Sequence, residues 1–206
     1  MSTATDSAFY FDLASPLAYL AAERVLQVFS NPPTPVEWQP VLARDLPAAE
    51  AFDAFRCREE EDVFRVNVAR RACELGLQPL RWPEPFPFDS ALAMRAATYA
   101  KSIGRTVPFA QAAFRQAFAG GRSLGEADNV LIAAAACEMH PTAVLKGAGL
   151  GSVRARLDAA TAAAAQAGVS DVPAVRMGTR VFVGERALER AAAHAQVAAH
   201  GQTAAS

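Results

Sequence analysis

Two hydrophobic rhythms alternate along this chain, and the places where one gives way to the other divide it into elements. Phe9 to Leu13 is an apolar run of strand type, with Asp12 its single charge. It breaks at Ser15-Pro16, and a helical rhythm follows through Leu17, Leu20, Ala21, Val25, Val28 and Phe29. Proline suits the first turn of a helix because its missing N–H would have no partner there, which makes Ser15 the expected N-cap. Its hydroxyl then faces free backbone N–H groups, a position that favours an anion or a thiolate. Asn31-Pro32-Pro33 ends the helix, and Val36 to Val41, with Trp38 inside it and Pro40 near its end, reads as a second strand. The result is a β-α-β unit with a right-handed crossover.

The middle of the chain has only the helical period. Arg44 to Leu77 is charged and helically spaced, with Val63, Val66, Ala69 and Cys73 as its expected buried face and Gly76 as its stop. Gln78 to Phe88, QPLRWPEPFPF, must be loop or extended backbone. Asp89-Ser90 can cap a helix from Ala91 to Ser102, and further helices are expected over Pro108–Phe118, Gly125–Glu138 and Gly151–Ala167. Strand character returns after Gly168. Val172 to Met177 and Arg180 to Val183 flank Gly178-Thr179 as a hairpin, Glu185 to Ala199 reads as a final helix, and the tail from Gly201 is expected to fray.

The order β-α-β, helical block, β-β-α is an α/β thioredoxin-like fold with a large all-helical insertion. Residues 1–46 and 168–206 form the thioredoxin-like domain in this reading, and 47–167 the inserted one. Composition narrows the function. Of the 206 residues, 52 % are hydrophobic and 20 % charged, with a net charge of −1, so no basic surface for nucleic acid is expected. No run is long and apolar enough for a membrane span, and MSTATDSAFYF lacks the basic start of a secretory signal. Cys57, Cys73 and Cys137 are odd in number and far apart, which fits small core residues in a reducing cytoplasm. His140, His194 and His200 lack ligand spacing, so no metal site is expected.

The motifs then point to a family. F-Y-F-D-L-A-S-P-L-A-Y-L-A, from Phe9 to Ala21, resembles the opening of 2-hydroxychromene-2-carboxylate isomerases. These are relatives of kappa-class glutathione transferases within the DsbA-like thioredoxin superfamily. The resemblance places Ser15 where redox relatives carry the first cysteine of C-x-x-C, and Ala18 at the second. D-V-P-A-V, from Asp171 to Val175, is similar to the family's G-V-P-T segment, whose proline is cis. Only about one X-Pro bond in twenty is cis, so the resemblance and not the pattern implies it. A cis bond there would leave the Val172 N–H and C=O free to pair with glutathione's cysteinyl backbone, with Pro173 against the thiol. F-V-G-E-R, from Phe182 to Arg186, is similar to the segment that binds the γ-glutamyl end. The family usually reads G-x-D-R there, whereas Gly184 is followed directly by Glu185 as the expected partner for a ligand ammonium. F-P-F-D-S, from Phe86 to Ser90, likewise resembles the family, and it implies substrate contacts at Asp89 and Ser90. The next position, arginine in isomerases of assigned aromatic substrate, is Ala91.

The resemblance therefore implies a glutathione-dependent isomerase acting on a small aromatic or electrophilic substrate, with mycothiol or another small thiol as possible replacements. Ser15 would hold the thiolate, and Trp82, Phe86 and Phe88 are candidate substrate walls. A homodimer is implied by the same analogy. A kappa-like transferase and a non-catalytic DsbA-like thiol-binding module remain open beside it. Each residue also has a plain role: Ser15, Asp89 and Ser90 as helix caps, Glu185 as an acid at a helix start, and Asp12 as an edge residue or a buried acid with a partner.

Overall fold

The computed structural model describes residues 7–30, 34–48, 55 and 57–203, with the backbone alone for 198–203. Strand β1 (Ser7–Phe11) lies at the heart of a four-stranded sheet of order β2-β1-β3-β4 and is buried along its whole length. Because side chains alternate across a strand, Phe9 and Phe11 enter one apolar core and Ala8 and Tyr10 a second, smaller one on the opposite face. Strand β2 (Glu37–Pro40) runs parallel to β1, with Phe9 opposite Trp38. Strands β3 (Ala174–Met177) and β4 (Arg180–Val183) form an antiparallel hairpin whose first strand also pairs antiparallel with β1. Gly178, at φ +59°, makes the tight turn between them, a conformation that glycine adopts without a Cβ penalty.

Helix α1 (Pro16–Ala22) follows β1, and α2 (Val25–Val28) follows a break at Glu23-Arg24. One continuous helix from Pro16 to Phe29 is therefore not what forms. At the break, Glu23 takes two hydrogen bonds from Arg115, and Arg24 reaches Glu189 at 2.6 Å, so adjacent residues are tied to different elements. Between β2 and β3 come α3 (Arg58–Glu74), α4 (Ala91–Ser102), α5 (Thr106–Phe118), α6 (Ala127–Ala135), α7 (Pro141–Ala148) and α8 (Gly151–Gln166). Helix α9 (Ala187–Thr203) closes the chain and runs past Gly201. This β-α-β and β-β-α frame with helices between its halves is the thioredoxin-like arrangement that the motifs implied. Among the described residues no helix is long and apolar enough to cross a membrane.

An aromatic ladder fastens the helices to the sheet. Phe11 meets Phe114 of α5 at 5.8 Å between ring centroids, and Tyr19 of α1 meets Phe114 and Phe118 at 6.2 and 5.7 Å. Helix α7 has no counterpart among the expected elements. Its cue, Pro141 in the first turn, is followed by Gly147, which lies against Tyr99 of α4 so closely that a Cβ would fall 2.3 Å from the ring.

Three further expectations are corrected. The expected long helix from Arg44 is a single 3-10 turn at Ala43–Asp45 followed later by α3, with residues 49–54 and 56 outside the described ones. Helix α3 also faces the other way: Val68 and Ala72 are buried, whereas Val63, Val66, Ala69 and Cys73 are exposed. Two apolar stripes run along this helix, and the one that includes Phe64 wins, because that ring packs against Trp82 and Phe86. Of the cysteines, only Cys137 is buried; Cys57 and Cys73 are exposed. Val68→Ala is expected to cost about 1–3 kcal/mol and Val66→Ala less than about 0.5 kcal/mol, measured by urea unfolding of dilute protein. Equal losses would contradict this orientation.

Candidate functional site

The end of β1 continues as Asp12-Leu13-Ala14-Ser15 before α1 begins. Ser15 has extended backbone angles, φ −89° and ψ 113°, and its Oγ accepts the Ala18 N–H at 3.1 Å. It is thus the N-cap, with Pro16 in the first turn. No described group accepts the Ser15 hydroxyl proton. Ser15 is 2 % exposed.

Asp12 organises this turn. Its carboxylate, buried among apolar neighbours, accepts the Ala14 N–H through Oδ1 and the Ala43 N–H through Oδ2, both at 2.9 Å. The Ser90 side chain and the Arg44 guanidinium lie near enough to favour its charged form as well. Its backbone carbonyl takes the Ser15 N–H at 3.0 Å. Burial pushes the Asp12 carboxyl above its ordinary range, and the N–H groups of Ala14 and Ala43, the Ser90 hydroxyl and Arg44 only partly offset that.

The antiparallel register, Tyr10 opposite Ala174, brings the start of β3 to the same end of the sheet. The Val172–Pro173 peptide is cis, as are Glu84–Pro85 and Phe86–Pro87. The Pro173 carbonyl accepts the Gly184 N–H at 2.9 Å, so the turn after β4 is tied to the same place. Gly184 stands at φ +90°, which a residue with a side chain would adopt only under strain. Ser15, Val172, Pro173, Gly184 and Ser90 are gathered at this end.

Other residues are occupied differently from their sequence reading. The Val172 N–H is not free: it donates to Asp171 Oδ1 at 2.7 Å, while the Val172 carbonyl accepts no hydrogen bond among the described residues. Burial raises the Asp171 carboxyl, and the Val172 N–H opposes that. Glu185 is half exposed and pairs with Arg71 of α3 at 3.0 Å. Arg71 also holds Glu189 at 3.0 Å. Burial pushes the Glu189 carboxyl up, but Arg24 and Arg71 outweigh it and hold the group below its usual range. Ser90 is buried beside Asp12, and Asp89 is exposed, taking Arg44 and the Ala91 N–H at 3.0 Å each.

Trp82 and Phe86 join Phe55, Phe64 and Phe118 in an aromatic cluster. Arg65 lies 5.0 Å over Trp82 and 5.7 Å over Phe86, and ion-pairs with Glu61 at 2.5 Å. Beside it opens a cavity of about 570 Å³ lined by Phe55, Arg58, Glu61, Arg65, Glu84 and Phe86. Phe88 is buried against Phe118. Asp12 carried a sequence signal, a lone charge in an apolar strand, but its partners did not. Asp171 opened the D-V-P-A-V motif but carried no assigned role, and nothing in the sequence marked Arg71. His140 is exposed at the head of α7, His194 lies against Phe182, and the side chain of His200 falls outside the described residues.

A model of the DSBA-like thioredoxin domain matches residues 8–196. The chain belongs to this family. Among solved structures, this DSBA-like domain is similar to a 2-hydroxychromene-2-carboxylate isomerase, at a TM-score of 0.82, with 19 % identity, 97 % of this chain and 99 % of that one covered. It is also similar to a probable DsbA oxidoreductase from Streptomyces coelicolor, at a TM-score of 0.71 with 18 % identity over 95 % and 89 % of the two chains. The cytosolic disulfide reductase DsbM from Pseudomonas aeruginosa, solved with GSH, has a TM-score of 0.64 and 14 % identity over 94 % and 98 %. At these identities the likeness is one of fold. No curated protein matches the chain in sequence.

The Asp12 carboxyl supplies a test. Its folded value lies above its unfolded one, so its contribution to stability is full below the ordinary carboxylate range and is lost as pH rises through the raised value. The stability of the wild type relative to Asp12→Asn is therefore expected to grow as pH falls from neutral, measured by chemical denaturation at a series of pH values. A difference that does not change with pH would contradict it.

Proposed function

We propose that this DSBA-like domain is a glutathione-dependent isomerase of the 2-hydroxychromene-2-carboxylate isomerase type, acting on an aromatic-derived substrate. The observation that carries this reading is the Ser15 hydroxyl: its oxygen is fixed by the Ala18 N–H, and no described residue takes its proton. A thiolate needs such a donor and cannot form a disulfide with it. Cys57 and Cys73 are on or beside α3 and Cys137 follows α6, so dithiol exchange at Ser15 has no cysteine to work with. The likeness in fold to the isomerase, and to a DsbM that was solved with GSH, supports the choice.

Glutathione, when bound, supplies a thiolate that adds to a conjugated carbon of the substrate and later leaves it, permitting rotation about the bond between. The chain's own contribution is to hold that sulfur. Ser15 donates to it where little water reaches, and a hydrogen bond to the charged form lowers a thiol's pKa. The open Val172 carbonyl can accept a backbone N–H from the bound tripeptide in the manner of an added strand. Asp171 competes for the complementary contact, because it holds the Val172 N–H. Glu185 can receive an ammonium while Arg71 steadies it from the other side. The cavity beside Arg65 and Phe86 offers aromatic walls to the organic substrate. Ala91 in place of arginine favours a substrate other than the one assigned to the isomerases. A cytoplasmic setting, where glutathione is abundant, is part of the same proposal.

Calorimetric titration with glutathione is the test. Ser15→Ala is expected to bind about tenfold or more weakly near neutral pH, since a hydrogen bond to a charged group contributes about 1.5–3 kcal/mol. Unchanged affinity would remove Ser15 from the role given to it. Asp171→Ala frees the Val172 N–H and is expected to tighten binding several-fold in the same measurement. Equal or weaker binding would show that this N–H takes no part.

A further inference from the structure

The turn that carries Ser15 is held through its backbone N–H groups, and one of these finds an unusual partner. Those of Ala14 and Ser15 stay within the turn, donating to the side chain and the carbonyl of Asp12 at 2.9 and 3.0 Å. The Leu13 N–H leaves it and donates to the Met94 thioether sulfur at 3.2 Å. Leu13 and Met94 are both fully buried, so water has no access to that contact. A thioether is a weak acceptor, and methionine in a core is ordinarily a gap-filler. Here its sulfur meets a main-chain donor that would otherwise be orphaned, which leucine, of nearly the same volume, cannot do. Met94 is itself firmly placed: its N–H donates to the Ser90 carbonyl at 2.8 Å, and its carbonyl accepts the Thr98 hydroxyl at 2.9 Å. Ser90 and Met94 therefore stand one turn apart on α4, the first beside Asp12 and the second on Leu13.

We propose that Met94 is a positioning residue for the Ser15 hydroxyl, acting through the Leu13 N–H; this rests on the reading of Ser15 as the group that holds the thiolate. Asp12 fastens the turn to the segment after β2 by taking the Ala43 N–H, and Leu13 fastens it to α4. Attachments at two adjacent residues fix an orientation, whereas one alone leaves the turn able to pivot. Ser15 lies two residues beyond Leu13, and its extended backbone sets where Oγ stands against the Ala18 N–H. Without the sulfur, the Leu13 N–H must move towards another acceptor, and the displacement passes along the turn to the hydroxyl. A hydrogen bond weakens steeply as its angle and length depart from the optimum, so a small displacement of the donor is felt in the ionisation of the thiol it holds. The role belongs to the sulfur and not to the shape of the side chain. An apolar chain of the same length fills the same space and leaves the Leu13 N–H unmet.

Amide hydrogen exchange of the full chain, and the pKa of the glutathione thiol bound to it, test this in Met94→Leu beside Ser15→Ala and Val144→Ala. Val144, buried in the same core on α7, controls for a loss of packing alone. Met94→Leu is expected to speed exchange at the Leu13 amide by about threefold to tenfold. It should also raise the pKa of the bound thiol by about half a unit or more. Val144→Ala is expected to lower stability and leave that pKa where it was. Norleucine at position 94, in a chain carrying Met139→Leu and Met177→Leu, keeps the shape of methionine and loses only the sulfur. It should reproduce Met94→Leu, whereas selenomethionine in the same chain should match the wild type. A bound thiol that Met94→Leu leaves unmoved, while Ser15→Ala raises its pKa, overturns the inference and leaves the reading of Ser15 standing. A shift as large in Val144→Ala, or a wild-type pKa in the norleucine chain, overturns it too. A bound thiol indifferent to Ser15→Ala removes both.

Discussion

One buried carboxylate joins three stretches of chain that are distant in sequence. Asp12 sits where β1 ends, and its two oxygens take N–H groups from the turn before α1 and from the segment after β2, while the Ser90 side chain at the start of α4 lies beside it. A charge removed from water is costly unless it is hydrogen-bonded, and each buried N–H left without a partner costs about 1–3 kcal/mol. Both costs are reduced only while all the groups stay together. This mutual dependence makes the turn leading into Ser15 a fixed object, and it ties that turn to the first of the sheet-facing helices of the insertion.

The rest of the architecture serves the same place. The aromatic ladder from Phe11 through Phe114 sets α5 against β1, and Tyr19 carries the contact on to Phe118. From Phe118 the rings continue to Trp82, Phe86 and Phe88, so Phe86, which lines the cavity, is linked by packing to the helix that Ser15 caps. On the other side, the hydrogen bond between the Pro173 carbonyl and the Gly184 N–H binds the hairpin to itself at the level of the site. Arg71 then connects α3 to α9 through Glu185 and Glu189.

Much of this was legible from the residues. The alternation around Phe9, the Ser15-Pro16 cap and the glycine between β3 and β4 each have a local physical cause, and each appears where that cause put it. What the residues did not disclose was partnership. Helix α3 carries two apolar stripes, and only the distant rings of Trp82 and Phe86 decide which turns inward. The break after Ala22 depends on Arg115 and Glu189, far away in sequence. Ser90 reads as a helix cap and Asp12 as a lone charge until the two are seen to meet. The V-P motif led one to expect a free Val172 N–H, but only the fold shows that Asp171 already holds it.

The most direct measurement is the pKa of the glutathione thiol bound to the protein, followed by ultraviolet titration in the wild type, Ser15→Ala, Asp12→Asn and the double variant. If Asp12 acts by placing Ser15, each single change raises the bound thiol's pKa, and Asp12→Asn adds nothing once the Ser15 hydroxyl is gone. Additive shifts, or a bound thiol indifferent to Ser15, would contradict that claim.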